Sequence, residues 1–273
     1  MIYNFNTCPH THPLTHPLFP RALDGLHSFN SQPSIIIIIK MHQTTLNDAA
    51  LALSRVLTFH RIHHTFFGGF AILATGADHR ESKDLDVLVS APKSTITHIL
   101  SDRRDWLEIP HSREDYVAYF WNSSSFSTSP LEPKHMVLVE MFVGQHDKAH
   151  FPESRNTVLK GCKMGTSYVP IANEDVLFRG KLNACASRGK RSDAQDVDYL
   201  VATYGERLKV VAKSLDKRTV GLAVRRHPEL RKVLAELGVG TRGAVWGVRK
   251  AKIEAPAVPQ MWDVHRGLGL ECV

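Results

Sequence analysis

The apolar positions of this chain change period several times, and each period predicts an element. Leu46, Ala49, Ala50, Leu53, Val56 and Leu57 recur at helical spacing, which predicts a helix with one apolar stripe from about Thr44. Thr45-x-x-Asp48 reads as its capping box, with Asp in the place of Glu. His64–Phe67 reads as a short strand running into Gly68-Gly69, and residues 69–76 as a short helix. Asp84–Val89 reads as a strand, Thr95–Ser101 as a helix, and Tyr116–Trp121 and Met136–Val143 as strands around the Ser-rich loop Ser123–Ser129. Val158–Val169 reads as a hairpin, and from Asn173 onward the pattern is helical.

That order predicts an α+β fold: a small mixed β-sheet with helices on one side, followed by a helical C-terminal region. Residues 1–40 are rich in Pro, Thr and His and carry no apolar period, so they read as a disordered leader. Within them Ile35–Ile39 has strong β propensity, which suits an added sheet edge or, if exposed, aggregation. Met41 directly precedes the helical pattern, so an upstream mis-assigned start is one account of the leader. The expected divisions are a core over 41–172, a helical region over 173–245 and a flexible tail over 246–273.

Asp84-Leu85-Asp86-Val87-Leu88-Val89 has the period of two that sends side chains to alternate faces. Asp84 and Asp86 therefore share one face, and Leu85, Val87 and Val89 share the other. Two adjacent carboxylates make a poor core and a good platform for a divalent cation with hard oxygen ligands. Glu140 interrupts the apolar run Met136–Val143. A buried carboxylate needs a partner. That partner is either an Arg or Lys in a structural ion pair, or a metal ion shared with Asp84 and Asp86. Gly68 and Gly69 lack a Cβ, so they suit a tight turn, or a phosphate approaching their N–H groups at a helix start. Arg80 stands just before the acidic strand, placed to neutralise phosphate or to pair with an acid. On a helix, Lys181, Ala184, Cys185 and Arg188 fall on one face, and Asp193 or Asp196 could orient the two cations.

The formal charge of +7 is unevenly placed. Residues 1–205 carry 20 Lys+Arg and 20 Asp+Glu, whereas residues 206–273 carry 14 and 7. A basic appendage suits a phosphate-rich partner such as RNA, or forms solvated helix faces. The four cysteines show no metal spacing and read as free thiols of a reducing compartment. No apolar run is long enough to span a bilayer, so an intracellular protein, cytoplasmic or nuclear, is expected. Gly238-Val239-Gly240-Thr241-Arg242-Gly243 fits a dinucleotide-binding pattern, but it follows a helical stretch with no βαβ unit around it. A helix C-cap and loop is the expectation there.

Gly68-Gly69, Asp84-x-Asp86 and Val139-Glu140-Met141, in that order, resemble the pattern of the nucleotidyltransferase superfamily, whose fold is related to that of DNA polymerase β. Gly-Gly-x-Ala followed by Arg80-x-Ser82-x-Asp84-x-Asp86, and the later stretch from Asp175 to Leu200, look like its abortive-infection toxin branch. The resemblance covers about residues 44–205. It departs from the pattern in the longer, more polar segment 70–80 and in Glu, rather than Asp, as the third acid. It implies a transferase that moves a nucleoside monophosphate from an NTP to an acceptor hydroxyl of RNA or protein. Asp84, Asp86 and Glu140 would hold Mg²⁺ or Mn²⁺, and Gly68, Gly69, Arg80, Lys181 and Arg188 would bind the nucleotide. The alternatives are a non-catalytic module of the same fold that binds RNA or a protein, and a nucleotidyltransferase acting on a small molecule.

Overall fold

The computed structural model describes residues 32–123, 136–144 and 151–252, with side chains from Gln43 onward. It opens with α1 (Gln32–Phe59), a helix of 28 residues. Ile35–Ile39 therefore lies in a helix and not in a strand. The helix disfavours a β-branched residue by only a fraction of a kcal/mol, roughly 0.5, and each residue added to an existing helix gains one hydrogen bond. The anchor is the stripe Leu46, Ala49, Ala50, Leu53 and Leu57, all fully buried.

Asp48 does not cap this helix. Its carboxylate accepts backbone N–H groups from Cys162 (3.1 Å), Lys163 (3.0 Å) and Met164 (2.7 Å). It thereby ties α1 to a turn more than a hundred residues away. The helix already runs through Thr45, so the first-turn donors a capping box would satisfy are elsewhere.

The sheet has seven strands: β1 (His64–Phe67), β2 (Asp84–Val89), β3 (Trp106–Ile109), β4 (Tyr116–Asn122), β5 (Met136–Val143), β6 (Ser154–Lys160) and β7 (Thr166–Ala172). Their order is β3-β4-β5-β2-β1-β7-β6. β2 lies near the centre, antiparallel to β1 and parallel to β5, and β1 runs parallel to β7. The sheet is therefore mixed, as the sequence pattern predicts. β3 is an edge strand that the pattern does not reveal, because only Trp106 of its four residues is buried. Between strands lie α2 (Gly68–Ala74) and α3 (Lys93–Ser101). α1 packs on β2, β5, β6 and β7. The β6–β7 hairpin begins earlier and ends later than Val158–Val169, and Gly165 takes a left-handed φ of 71° in its turn.

Five helices follow: α4 (Glu174–Ser187), α5 (Arg191–Ala212), α6 (Lys217–Arg226), α7 (Leu230–Glu236) and α8 (Thr241–Gly247). α8 runs past the expected boundary at residue 245. α5 kinks at Tyr204 (φ −124°, ψ 17°). One apolar cluster joins the sheet to these helices, from Leu85 and Val139 to Phe178, Val197 and Leu234. Gly238 (φ 77°) ends α7, its N–H and that of Val239 bonding back to the carbonyls of Ala235 and Leu234. Gly238–Gly240 are therefore a C-cap and short loop, while Thr241, Arg242 and Gly243 of the same pattern already belong to α8. Among the described residues Cys162 and Cys185 are free thiols, and no helix is long and apolar enough to cross a membrane. The leader to residue 31, most of the Ser-rich loop and residues 253–273 lie outside the described residues.

Candidate active site

Parallel pairing of β2 with β5 sets Asp86 directly opposite Glu140, and Asp84 opposite Leu138. On the other side Asp86 faces Phe67 of β1, and Glu140 faces Ala118 of β4. One cross-strand row thus reads Phe67, Asp86, Glu140, Ala118. Asp84 sits two residues along β2 on the same face. Leu85, Val87 and Val89 on the opposite face are fully buried, which fixes the register, since a slip by one residue would bury the acids instead. The three carboxylates are only partly buried. Burial first, then the neighbouring charges of Asp84 and Glu140, push the Asp86 carboxyl up to about 7.

The two glycines make room for side chains of this face. Gly68 has a left-handed φ of 70°, and a Cβ there would lie 1.9 Å from Asp86 Oδ2. A Cβ on Gly69 would lie 2.4 Å from Arg80 Nη2 and 2.9 Å from Ser82 Oγ. The groups that approach these two Cα atoms are therefore a carboxylate, a guanidinium and a hydroxyl. Phe67 at the N-cap of α2 offers no side-chain cap to the first-turn N–H groups. Ser82 is buried and its hydroxyl lies 3.3 Å from Asp84 Oδ1.

Arg80 and Lys181 converge on a buried acid of α5. Lys181 Nζ lies 2.8 Å from Asp196 and 3.5 Å from Asp193, and Arg80 lies 3.4 Å from Asp196. His79 also reaches Asp196, at 3.3 Å. Arg188 is the C-cap of α4 with extended backbone, so it does not continue the helix face that carries Lys181. It still meets Asp193, with two parallel hydrogen bonds of 2.7 and 3.0 Å. Burial alone would raise the Asp193 carboxyl, but Arg188 and then Lys181 outweigh it and hold it below the usual range. Lys181 and Arg188 lie close enough to Asp86 for their charges to favour its ionised form. Arg80 Nε is buried with no hydrogen-bond partner, a donor beside Gly69 that suits an anion.

Tyr116 is a residue of the site that sequence spacing does not disclose. Its hydroxyl donates to Glu140 Oε1 at 2.5 Å. Burial, then that hydrogen bond, raise the Tyr116 hydroxyl above its ordinary value. Tyr116 also packs against Phe142, and Phe142 against Phe67, with ring centroids 5.6 Å apart in each pair. The acidic row is therefore flanked by an aromatic ladder. No sequence signal marks Tyr116, because its place beside Glu140 comes from the β4–β5 register.

The donor set of Asp84 and Asp86 suits a hard cation: two partly buried carboxylates crowded with Glu140 and cradled by Gly68. Among the described residues no three His, Cys, Asp or Glu side chains form a metal-holding group by themselves. A cavity of about 630 Å³ lies elsewhere, at the α5 kink beside Arg155, Tyr204 and Arg207.

No family model and no curated protein matches this chain. Several solved structures are similar to it, two of which follow. An antigenic nucleotidyltransferase-like protein from Paracoccidioides brasiliensis is 16% identical, covering 71% of this chain and 93% of that one, with a TM-score of 0.46. JHP933 from Helicobacter pylori is 18% identical, covering 75% and 93%, with a TM-score of 0.43.

Proposed function

We propose that this protein transfers a nucleoside monophosphate from an NTP to an acceptor hydroxyl. The row Phe67, Asp86, Glu140, Ala118, with Asp84 beside it, carries this reading: three carboxylates on one sheet face under a glycine-opened turn. Asp84 and Asp86 would hold Mg²⁺ or Mn²⁺, with the triphosphate oxygens completing a site that the protein alone leaves open. The cation would draw charge from the transferring phosphate and neutralise the carboxylates. Ser82 orients Asp84. The N–H groups of Gly68 and Gly69, which no side chain caps, would donate with Arg80 Nε to phosphate oxygens. Lys181 and Arg188 act from behind Asp193 and Asp196, adding positive potential to the cleft rather than direct contacts. The acceptor oxygen bonds to the α-phosphorus, the bond to the β-phosphate breaks, pyrophosphate leaves, and the hydroxyl proton passes to Glu140. Tyr116 occupies Oε1, which leaves Oε2 to take it.

One observation favours a second reading. Glu140 is engaged by Tyr116, and both Lys181 and Arg188 are engaged by acids, as in a module of this fold that binds without catalysis. Incubation with each labelled NTP, Mg²⁺ and total RNA separates the two. Transfer of label with pyrophosphate release, lost in Asp84→Asn and Asp86→Asn, supports the transferase. Binding of RNA by the wild type with no pyrophosphate from any NTP supports the module.

A further inference from the structure

The surface of α8 has chemistry that the acidic face does not use. Trp246 is 66% exposed. The Arg249 guanidinium lies 3.8 Å from its ring centroid, and Arg249 Nη1 donates to the Trp246 carbonyl at 3.0 Å. The indole is therefore held in place while most of its surface stays open. Arg242 lies one turn earlier on α8, and Lys250 and Lys252 follow Arg249. All four cations are exposed, and no acidic residue occurs between Leu237 and Lys252.

This face is rigidly mounted. Arg225 of α6 donates to the carbonyls of Val248 and Ala251, which fixes the turn after α8. A Cβ on Gly221 would lie 2.3 Å from the Ala244 carbonyl oxygen, so α8 sits directly on the α6 backbone. On the outer side Gly243 and Gly247 have open space where a Cβ would stand, which lets another backbone come close.

We propose that this face binds single-stranded RNA, with a base stacked on Trp246 and phosphates on Arg242, Arg249, Lys250 and Lys252. A held aromatic ring on a stretch rich in cations and free of acids is what an unpaired base and its phosphates need. A duplex hides its base faces, whereas the single-stranded loops, bulges and ends of RNA offer unstacked bases to aromatic side chains. An acidic peptide would meet the charges but leave the indole in water. A membrane surface needs a wider apolar face than one indole. The statement that the bound strand is also the acceptor rests on the nucleotidyl-transfer reading; the binding does not.

The test uses the full chain and a 12-nucleotide RNA single strand of mixed sequence, followed by fluorescence anisotropy. Trp246→Ala should weaken binding by roughly 5- to 100-fold, from the stacking worth of one base. Trp246→Phe should keep most of the affinity, and the melting temperature should not move in either variant. Arg242→Glu should weaken binding and flatten its salt dependence. The proposal is overturned if Trp246→Ala binds within twofold of wild type. It is also overturned if the duplex of the same sequence binds as tightly, or if poly-glutamate of equal charge competes as well as the strand. The rise in melting temperature with Mg²⁺ and NTP is measured on the same samples. A Trp246-dependent strand with no NTP response leaves this inference standing and removes the transferase. An NTP response with strand binding indifferent to Trp246 removes this inference alone.

Discussion

Lys181 Nζ and Asp196 Oδ2 face each other at 2.8 Å, both buried, and tie α4 to α5 beside the acidic strand. The contact makes Lys181 part of the framework of the cleft. Asp193 and Asp196 together hold Lys181, Arg80, Arg188 and His79.

Lys181→Met should therefore destabilise the protein by about 3–5 kcal/mol, because two buried carboxylates lose a close cation. Arg188→Ala should cost less, since its side chain is 41% exposed and water can replace it. Denaturant melts of both variants check this. A loss below about 1 kcal/mol for Lys181→Met would place the residue outside the framework.

Mg²⁺ with an NTP should raise the melting temperature of the wild type, because a ligand bound to the folded state alone stabilises it. The double variant Asp84→Asn, Asp86→Asn should fold and lose that rise. A full response in the double variant would show that these are not the ligands.

Without metal, Asp86 carries a pH dependence of known sign. Its folded value is raised from 3.8 to about 7, so the folded state holds a proton that the unfolded chain has released. Stability from this group is complete below about pH 4 and is lost as pH rises to about 7. Above that, Asp86→Asn should be more stable than wild type by on the order of 2–4 kcal/mol. Equal stability at about pH 8, in chelator, would mean that neither burial nor the neighbouring carboxylates raise Asp86.

His64 has the opposite dependence. It is buried, its Nδ1 lies 3.1 Å from the Ile62 carbonyl and its Nε2 lies 2.9 Å from Ser54 Oγ. The carbonyl can only accept, so Nδ1 carries the proton and Nε2 accepts from Ser54. Burial lowers His64 below its ordinary 6.5, the Ile62 hydrogen bond opposing and the His63 charge adding to it. Its contribution is present above about pH 6.5 and is lost as pH falls toward the folded value, by at most about 1.4 kcal/mol per pH step. His64→Gln should flatten that part of the stability profile. An unchanged slope between pH 7.5 and 5.5 would assign it to another group.

Asp48→Ala should cost about 3 kcal/mol, because three backbone N–H groups at the β6–β7 turn lose a charged acceptor. Gly161→Ala should act in the same direction, since a Cβ there would lie 1.9 Å from Asp48 Oδ1 and displace it. Hydrogen exchange at Cys162, Lys163 and Met164 should quicken in both variants. Unaltered protection at those amides would sink the proposed anchor.

The sequence by itself determined what depends on local period and local chemistry. The side-chain period of two placed Asp84 and Asp86 on one face, opposite Leu85, Val87 and Val89. The helical stripe from Leu46 to Leu57, the break at Gly68-Gly69 and the C-cap at Gly238 were legible for the same reason. What pairs across the chain was not. The register of β2 on β5 sets Asp86 against Glu140, 54 positions away, and the β4–β5 pairing brings Tyr116 to the same face. Glycine at 68 and 69 signalled a close approach, but only the fold shows that Asp86 and Arg80 are the groups that approach. Thr45-x-x-Asp48 has the form of a cap, yet Asp48 serves a distant turn, because burial with hydrogen bonds from three backbone N–H groups outweighs a single local one. Ile35–Ile39 follows the helix it extends rather than its own propensity. Propensities and caps are worth fractions of a kcal/mol to about one each. Burial of carboxylates, cations and apolar faces is worth several, so the tertiary structure decides wherever the two conflict.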